Sequence, residues 1–276
     1  MLTRHRLQVL ERYLASAPGL RVEFSLRLAA ARLRSRPAPL FWVGAGHRDS
    51  QADFARVRRL LRAFDCPAAL LESHHAHSRH SLYQGVAIDL DAPQLRGNLF
   101  MHCRDESGER RLGLGWDGQT VHVTEYRAGR LSDTGRRDWL LAQVHPDYRE
   151  LLGALLGEAR LLGQGGYWVQ RKQAHDTEVY LTYPWHPPLA DLAPTLTAHL
   201  PAPLPGGWHR YRAAPIRHLG LSCRPDPLAA MTLYASAPYA GPWPLSLGEL
   251  EETVMQGLTD GSVHGDGPED PRDRSG

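Results

Sequence analysis

Residues 98–104 read Asn-Leu-Phe-Met-His-Cys-Arg, and their alternation decides the fold. In a strand, successive side chains point to opposite faces. One face of this stretch is Leu99, Met101 and Cys103, and the other is Asn98, Phe100, His102 and Arg104. Residues 85–90, Gly-Val-Ala-Ile-Asp-Leu, precede it across a turn at Asp91-Ala92-Pro93. Strands joined by so short a turn must be antiparallel.

The pattern repeats along the chain. Residues 111–126 form a second hairpin around Asp117-Gly118, a strong two-residue turn signal. Hairpins follow at 166–172 with 177–183, and at 216–222 with 231–236. Extended segments are expected at 21–34 and 40–45. Each strand offers one aliphatic face, and each opposite face carries aromatic and polar groups: His122, Thr124 and Tyr126; Glu178, Tyr180 and Thr182; Thr232 and Tyr234.

Helices are expected at 3–16, 51–64, 136–145, 147–162, 189–199 and 247–258, from apolar spacing and caps. Residues 1–258 then form one domain of α+β class, and 259–276, poor in apolar groups, form a disordered tail. Two architectures fit: an open sheet with one face in water, or an antiparallel barrel whose helices cover the aliphatic face. The aromatic groups on the second face favour the barrel, with a lumen that holds a ligand.

Composition narrows the function. The 276 residues are 42% hydrophobic and 22% charged, as in an ordinary globular protein. The 32 basic and 30 acidic residues leave a net charge of +2, which argues against a nucleic-acid partner. No apolar run is long enough for a membrane span and no signal core opens the chain, so a cytoplasmic protein without a membrane partner is expected. No GxGxxG or Walker A sequence occurs, so no nucleotide cofactor is expected. Cys66, Cys103 and Cys223 form no metal or disulfide pattern and read as small buried residues. His74, His75, His77 and His80 are the densest histidine group, but they lack HExxH spacing and read as a polar loop and not a metal site. His186 and His209 complete no motif.

Four segments carry a family resemblance. Ala87-Ile88-Asp89-Leu90 followed by Leu99-Phe100-Met101-His102 is similar to a Gly-Ile-Asp-Leu strand and a Leu-Lys-Met-His strand. Residues 176–181, Asp-Thr-Glu-Val-Tyr-Leu, are similar to Glu-Ile-Glu-Ile-Tyr. Leu219-Gly-Leu-Ser with Thr232-Leu-Tyr matches a Gly-Leu-Ser and Leu-Tyr-Tyr pair, and Leu28-Ala-Ala-Ala-Arg32 matches Leu-Ile-Ala-Ser-Arg. Over residues 20–236 the chain thus resembles the ABBA prenyltransferases, and most closely the cyanobactin-type peptide prenyltransferases.

The resemblance implies an antiparallel barrel of about ten strands surrounded by helices. It implies transfer of a dimethylallyl-type isoprenoid from its diphosphate to a peptide side chain, with Mg²⁺ as an optional counter-ion. It places Arg32, His102, Tyr180 and Tyr234 at the diphosphate, with Phe100 and Tyr126 as lumen aromatics. Phe100 stands where the family has Lys, so Arg104, Lys172 or Arg171 would replace that cation. The family's base, a Glu, falls on Phe24, with Glu23 beside it. Glu23 takes the catalytic role if a bulge near Ser25 turns it inward. No strand after residue 245 matches the family's last one, which leaves closure of the barrel open. Two rivals stand beside the enzyme: a degenerate relative that binds peptide or isoprenoid without chemistry, and a hydrolase using a metal at the histidine group.

Overall fold

The computed structural model describes Gln8 and residues 20–29, 32–44, 50–78, 81–89, 96–105, 108–172, 175–200, 203–204, 207–224 and 231–238. The expected helices at 3–16 and 247–258, and the expected tail, lie outside the described residues.

The strands are β1 (Leu20–Ala29), β2 (Arg32–Gly44), β3 (Ser81–Asp89), β4 (Arg96–Asp105), β5 (Gly108–Asp117), β6 (Thr120–Arg130), β7 (Gly166–Lys172), β8 (His175–Thr182), β9 (Ile216–Ser222) and β10 (Met231–Pro238). Each pairs antiparallel with its neighbour in the chain. β1 also pairs with β10, from Arg21↔Pro238 to Leu28↔Met231, so the sheet curls back on itself as a barrel. The helices are α1 (Ser50–Ala63), α2 (Ala68–Ser78), α3 (Arg136–Gln143), α4 (Arg149–Leu155), α5 (Ala159–Gln164) and α6 (Leu189–His199). The class is therefore α+β, as the strand pairs alternating with helices imply.

Several boundaries differ from the sequence reading. The segment 21–34 is not one extended piece; the chain reverses after Ala29, and β1 and β2 form a hairpin. The segment 147–162 is broken into a 3₁₀ turn at Pro146–Tyr148 and two short helices. Pro146 opens that turn, where its missing N–H costs nothing. The histidine group is not a loop: His74, His75 and His77 sit on α2. A run of like polar residues hides helical spacing, and here every fourth residue, Leu70, His74 and Ser78, is buried.

The core lies outside the sheet. Leu26, Val179, Leu181, Leu219, Leu221 and Leu233 are fully buried against leucines of α3–α6 such as Leu140, Leu152 and Leu196. Val86, Leu99, Met101 and Leu114 are buried against Val57, Leu61 and Leu70 of α1 and α2. These are the aliphatic faces seen in the sequence. The outer face of β6 is the exception. Val123 is 56% exposed. No helix among the described residues is long and apolar enough to cross a membrane.

Burial sets a graded expectation for mutants. Leu219→Ala should cost about 2–5 kcal/mol, the range for emptying a packed aliphatic site. Val123→Thr should change stability by less than about 0.5 kcal/mol, as at an uncovered surface position. Urea unfolding of both variants checks this contrast.

Candidate functional site in the barrel lumen

The cross-strand register builds a row of polar groups inside the barrel. Glu178 pairs with Gln170, Gln170 with Tyr126, Tyr126 with Arg111, and Arg111 with His102. Each lies on the strand face opposite the buried aliphatic residues. Trp168, Tyr180, His218 and Tyr234 have the same parity on β7, β8, β9 and β10.

Aromatic rings bridge the interior. Phe100 and Tyr126 have centroids 6.4 Å apart, Tyr126 and Tyr180 6.4 Å, and Tyr180 and Tyr234 5.7 Å. These residues belong to β4, β6, β8 and β10, so each contact reaches over the strand between and the rings run along the inner wall. Trp168 joins them, 6.0 Å from Tyr126 and 6.3 Å from the His218 ring. Rings at these separations are in favourable edge-on or tilted contact.

Hydrogen bonds fix the row. The Tyr180 hydroxyl donates to Glu178 Oε2 at 2.6 Å. Gln170 Nε2 donates to the Tyr126 hydroxyl at 3.2 Å, and Thr177 Oγ1 donates to Gln170 Oε1 at 2.9 Å. Thr182 Oγ1 and His218 Nδ1 lie 3.1 Å apart. The Arg111 guanidinium is stacked 3.6 Å above the Trp168 ring, a close cation–π contact. Gly220 gives the acid its room, since a Cβ there would run into the Glu178 carboxylate.

Electrostatics single out Glu178. Desolvation raises its carboxyl above the ordinary range, while the Tyr180 hydrogen bond and the charges of Lys172 and Arg27 pull the other way. The Tyr180 hydroxyl is raised well above its usual value, first by burial and then by the adjacent carboxylate. A proton is therefore held tightly on the phenol. The carboxyl is the group of the two that can exchange one.

The structure brings together Phe100, His102, Tyr126, Tyr180 and Tyr234 in the lumen. Lys172 is exposed at the β7 end, within electrostatic reach of Glu178. The side chains of Glu23, Arg32 and Arg104 lie outside the described residues. Their backbones pair at Glu23↔Ser236, Ala29↔Arg32 and Arg104↔Glu109. The register of β1 is unshifted from Arg21 to Leu28, so the pairing shows no bulge near Ser25. None is needed to set parity. Glu23 shares the strand parity of Ser25, which pairs with Tyr234, and not that of Leu26 in the helix-side core.

Sequence reading missed Glu178, Arg111, Gln170 and Trp168 as site residues. Glu178 and Gln170 were recoverable from parity with Tyr180 and Lys172. Arg111 and Trp168 were not, because their place depends on which strands meet.

The histidine group is occupied structurally. His74 is buried, with Nε2 2.8 Å from Gln84 Oε1, and Arg58 donates to His75 Nδ1 at 2.9 Å. His80 lies outside the described residues. Among the described residues no three His, Cys, Asp or Glu side chains are placed to hold a metal ion. Cys66 and Cys103 are buried as expected, whereas Cys223 is only half-buried; burial pushes the Cys66 and Cys223 thiols up to about 12. No protein-family model and no curated protein sequence matches the chain.

The raised carboxyl of Glu178 gives a signed expectation. As pH rises from about 4 toward neutrality, the unfolded state releases this proton first, so the site loses stability. Glu178→Gln removes that loss. The stability of the variant relative to the parent should therefore improve with rising pH, as measured by urea unfolding at about pH 4 and about pH 7.

Proposed function

We propose that the barrel is an ABBA-type peptide prenyltransferase that moves a dimethylallyl-type group from its diphosphate to a peptide side chain. The observation that carries this reading is the chain of rings Phe100–Tyr126–Tyr180–Tyr234 lining the lumen wall beside Arg111 and His102. An allylic diphosphate splits into a strongly charged anion and a short-lived carbocation. The anion needs fixed cationic donors, and the cation needs aromatic faces and exclusion of water.

The residues divide between these tasks. Arg111 presents a guanidinium suited to phosphate oxygens, and stacking on Trp168 holds it in place. His102, its cross-strand partner, adds a second donor when protonated. In this reading Arg111 takes over the role that Phe100 vacates. The allylic C–O bond breaks with its electron pair leaving on the diphosphate. The acceptor side chain then bonds to the allyl carbon and releases a proton.

Glu178 takes that proton, directly or by way of the Tyr180 hydroxyl, which passes its own proton to the carboxylate across the 2.6 Å bond. The raised carboxyl is matched to this task better than an ordinary surface acid would be. No step runs through Mg²⁺.

Mass spectrometry of a peptide panel incubated with dimethylallyl diphosphate tests the reading. A product heavier by one isoprene unit is the expected result. Arg111→Ala should weaken diphosphate binding by about 1.5–3 kcal/mol, the scale of a charge-assisted hydrogen bond. Glu178→Gln should slow transfer by about 10²–10⁴-fold with diphosphate affinity retained. Diphosphate binding without transfer to any peptide would favour the degenerate relative instead.

A further inference from the structure

A bulge in β8 re-aims one side chain. Gln170 pairs with Glu178 and Arg171 with Asp176, so Thr177 is the extra residue between them. Cross-strand partners share a face. Glu178 faces the lumen with Gln170. Asp176 faces outward with Arg171, which stands two places along β7 from the buried, helix-side Val169. In a regular strand Asp176, two residues from Glu178, would face the lumen instead. Arg127 of β6 pairs with Val169 and so stands on the same outer face.

A cavity of about 500 Å³ lies there, on the outside of the barrel wall. Arg127 and Arg171 line it together with Gln143, the last residue of α3, and with Cys223 and Arg224 just past β9. Asp176 supplies the one carboxylate among the described lining residues, against three guanidinium groups. That carboxylate is already engaged, because Arg127 Nη2 donates to Asp176 Oδ2 at 2.6 Å. The Arg127 guanidinium also lies 5.7 Å from the Trp139 ring of α3, so it is held in place while half of its side chain stays open to solvent. The third side is anchored to the bulge itself: Cys223 N–H donates to the Thr177 carbonyl at 3.1 Å. Arg224 N–H donates to Ser222 Oγ at 3.3 Å, which fixes the turn that carries Arg224. Glu125 lies across from Arg171, so the weight falls on Arg127 and Arg224.

We propose that this outer cavity binds a small-molecule oxyanion, a phosphate or carboxylate group, between Arg127, Arg224 and the Gln143 amide. Planar guanidinium groups match the paired oxygens of such anions, and the amide adds a neutral donor. The volume falls within the range of about 300–1,000 Å³ typical of small-ligand sites. The wall of β7 and β8 separates this site from the lumen, and the proposal does not depend on prenyl transfer.

Cys223 is a built-in reporter, since it lines the cavity and is only half-buried, whereas Cys66 and Cys103 are buried. The test is alkylation of the folded protein by iodoacetamide at alkaline pH and constant ionic strength, read by mass spectrometry of the Cys223 peptide. Inorganic phosphate and citrate are the probes. At least one should slow Cys223 labelling saturably, and the more effective of the two tells a phosphate ligand from a carboxylate. Arg224→Gln should raise the concentration needed by roughly tenfold or more, the worth of a charge-assisted hydrogen bond. Arg137→Gln, at an exposed position of α3, should leave it unchanged. Arg111→Ala should also leave it unchanged, because Arg111 lies on the lumen side. Labelling that neither probe slows beyond chloride of equal ionic strength would overturn the proposal. Protection that survives Arg224→Gln and is lost in Arg111→Ala would overturn it too, by assigning the anion to the lumen.

Discussion

The burial of aliphatic strand faces beneath the helices frees the barrel interior from serving as the core. Leu26, Leu181, Leu219 and Leu233 pack outward on α3–α6, and Leu99 and Leu114 pack on α1 and α2. The hydrophobic free energy of the domain is thus gained between sheet and helices. The period of two along each strand then obliges every second residue to face the lumen. A row such as Glu178, Gln170, Tyr126, Arg111 and His102 follows from that constraint, provided its polar atoms are satisfied. Hydrogen bonds from Tyr180, Gln170 and Thr177 meet part of that need.

The same geometry sets the chemistry. A carboxyl inside the barrel is expensive to ionise, and the cations of Lys172 and Arg27 only partly offset this. Glu178 is left with a carboxyl raised above the ordinary range, beside a phenol raised well above its own usual value. Aromatic rings surround the pair at centroid separations near 6 Å (6.4 Å from Tyr126 and 5.7 Å from Tyr234, measured at Tyr180). Such an interior suits a reaction in which positive charge appears briefly and one proton must leave.

Much of this could be read from the residues alone. The alternation of Asn98–Arg104 and of Glu178–Thr182 assigns each side chain to a face without knowledge of the partner strands. The Asp117-Gly118 turn fixes its hairpin, and the helix at Leu189–His199 begins and ends where the apolar spacing predicts. What escaped the sequence depends on encounters between distant segments. Arg111 stacks on Trp168, 57 positions away, only because β5, β6 and β7 are laid side by side. The buried spacing of Leu70, His74 and Ser78 was masked by the run of histidines, so a helix read as a loop. The parity of β1 depends on which of its faces meets the helices, and that is fixed by pairing and packing partners far away in the sequence.

The titration of the Glu178 carboxyl carbon, followed by NMR on protein labelled at glutamate and assigned with the Glu178→Gln variant, tests the account most directly. The account predicts a midpoint above the ordinary carboxylate range in the free protein, displaced again when a non-hydrolysable thiol analogue of dimethylallyl diphosphate is added. A midpoint in the ordinary range that does not respond to the analogue would contradict it.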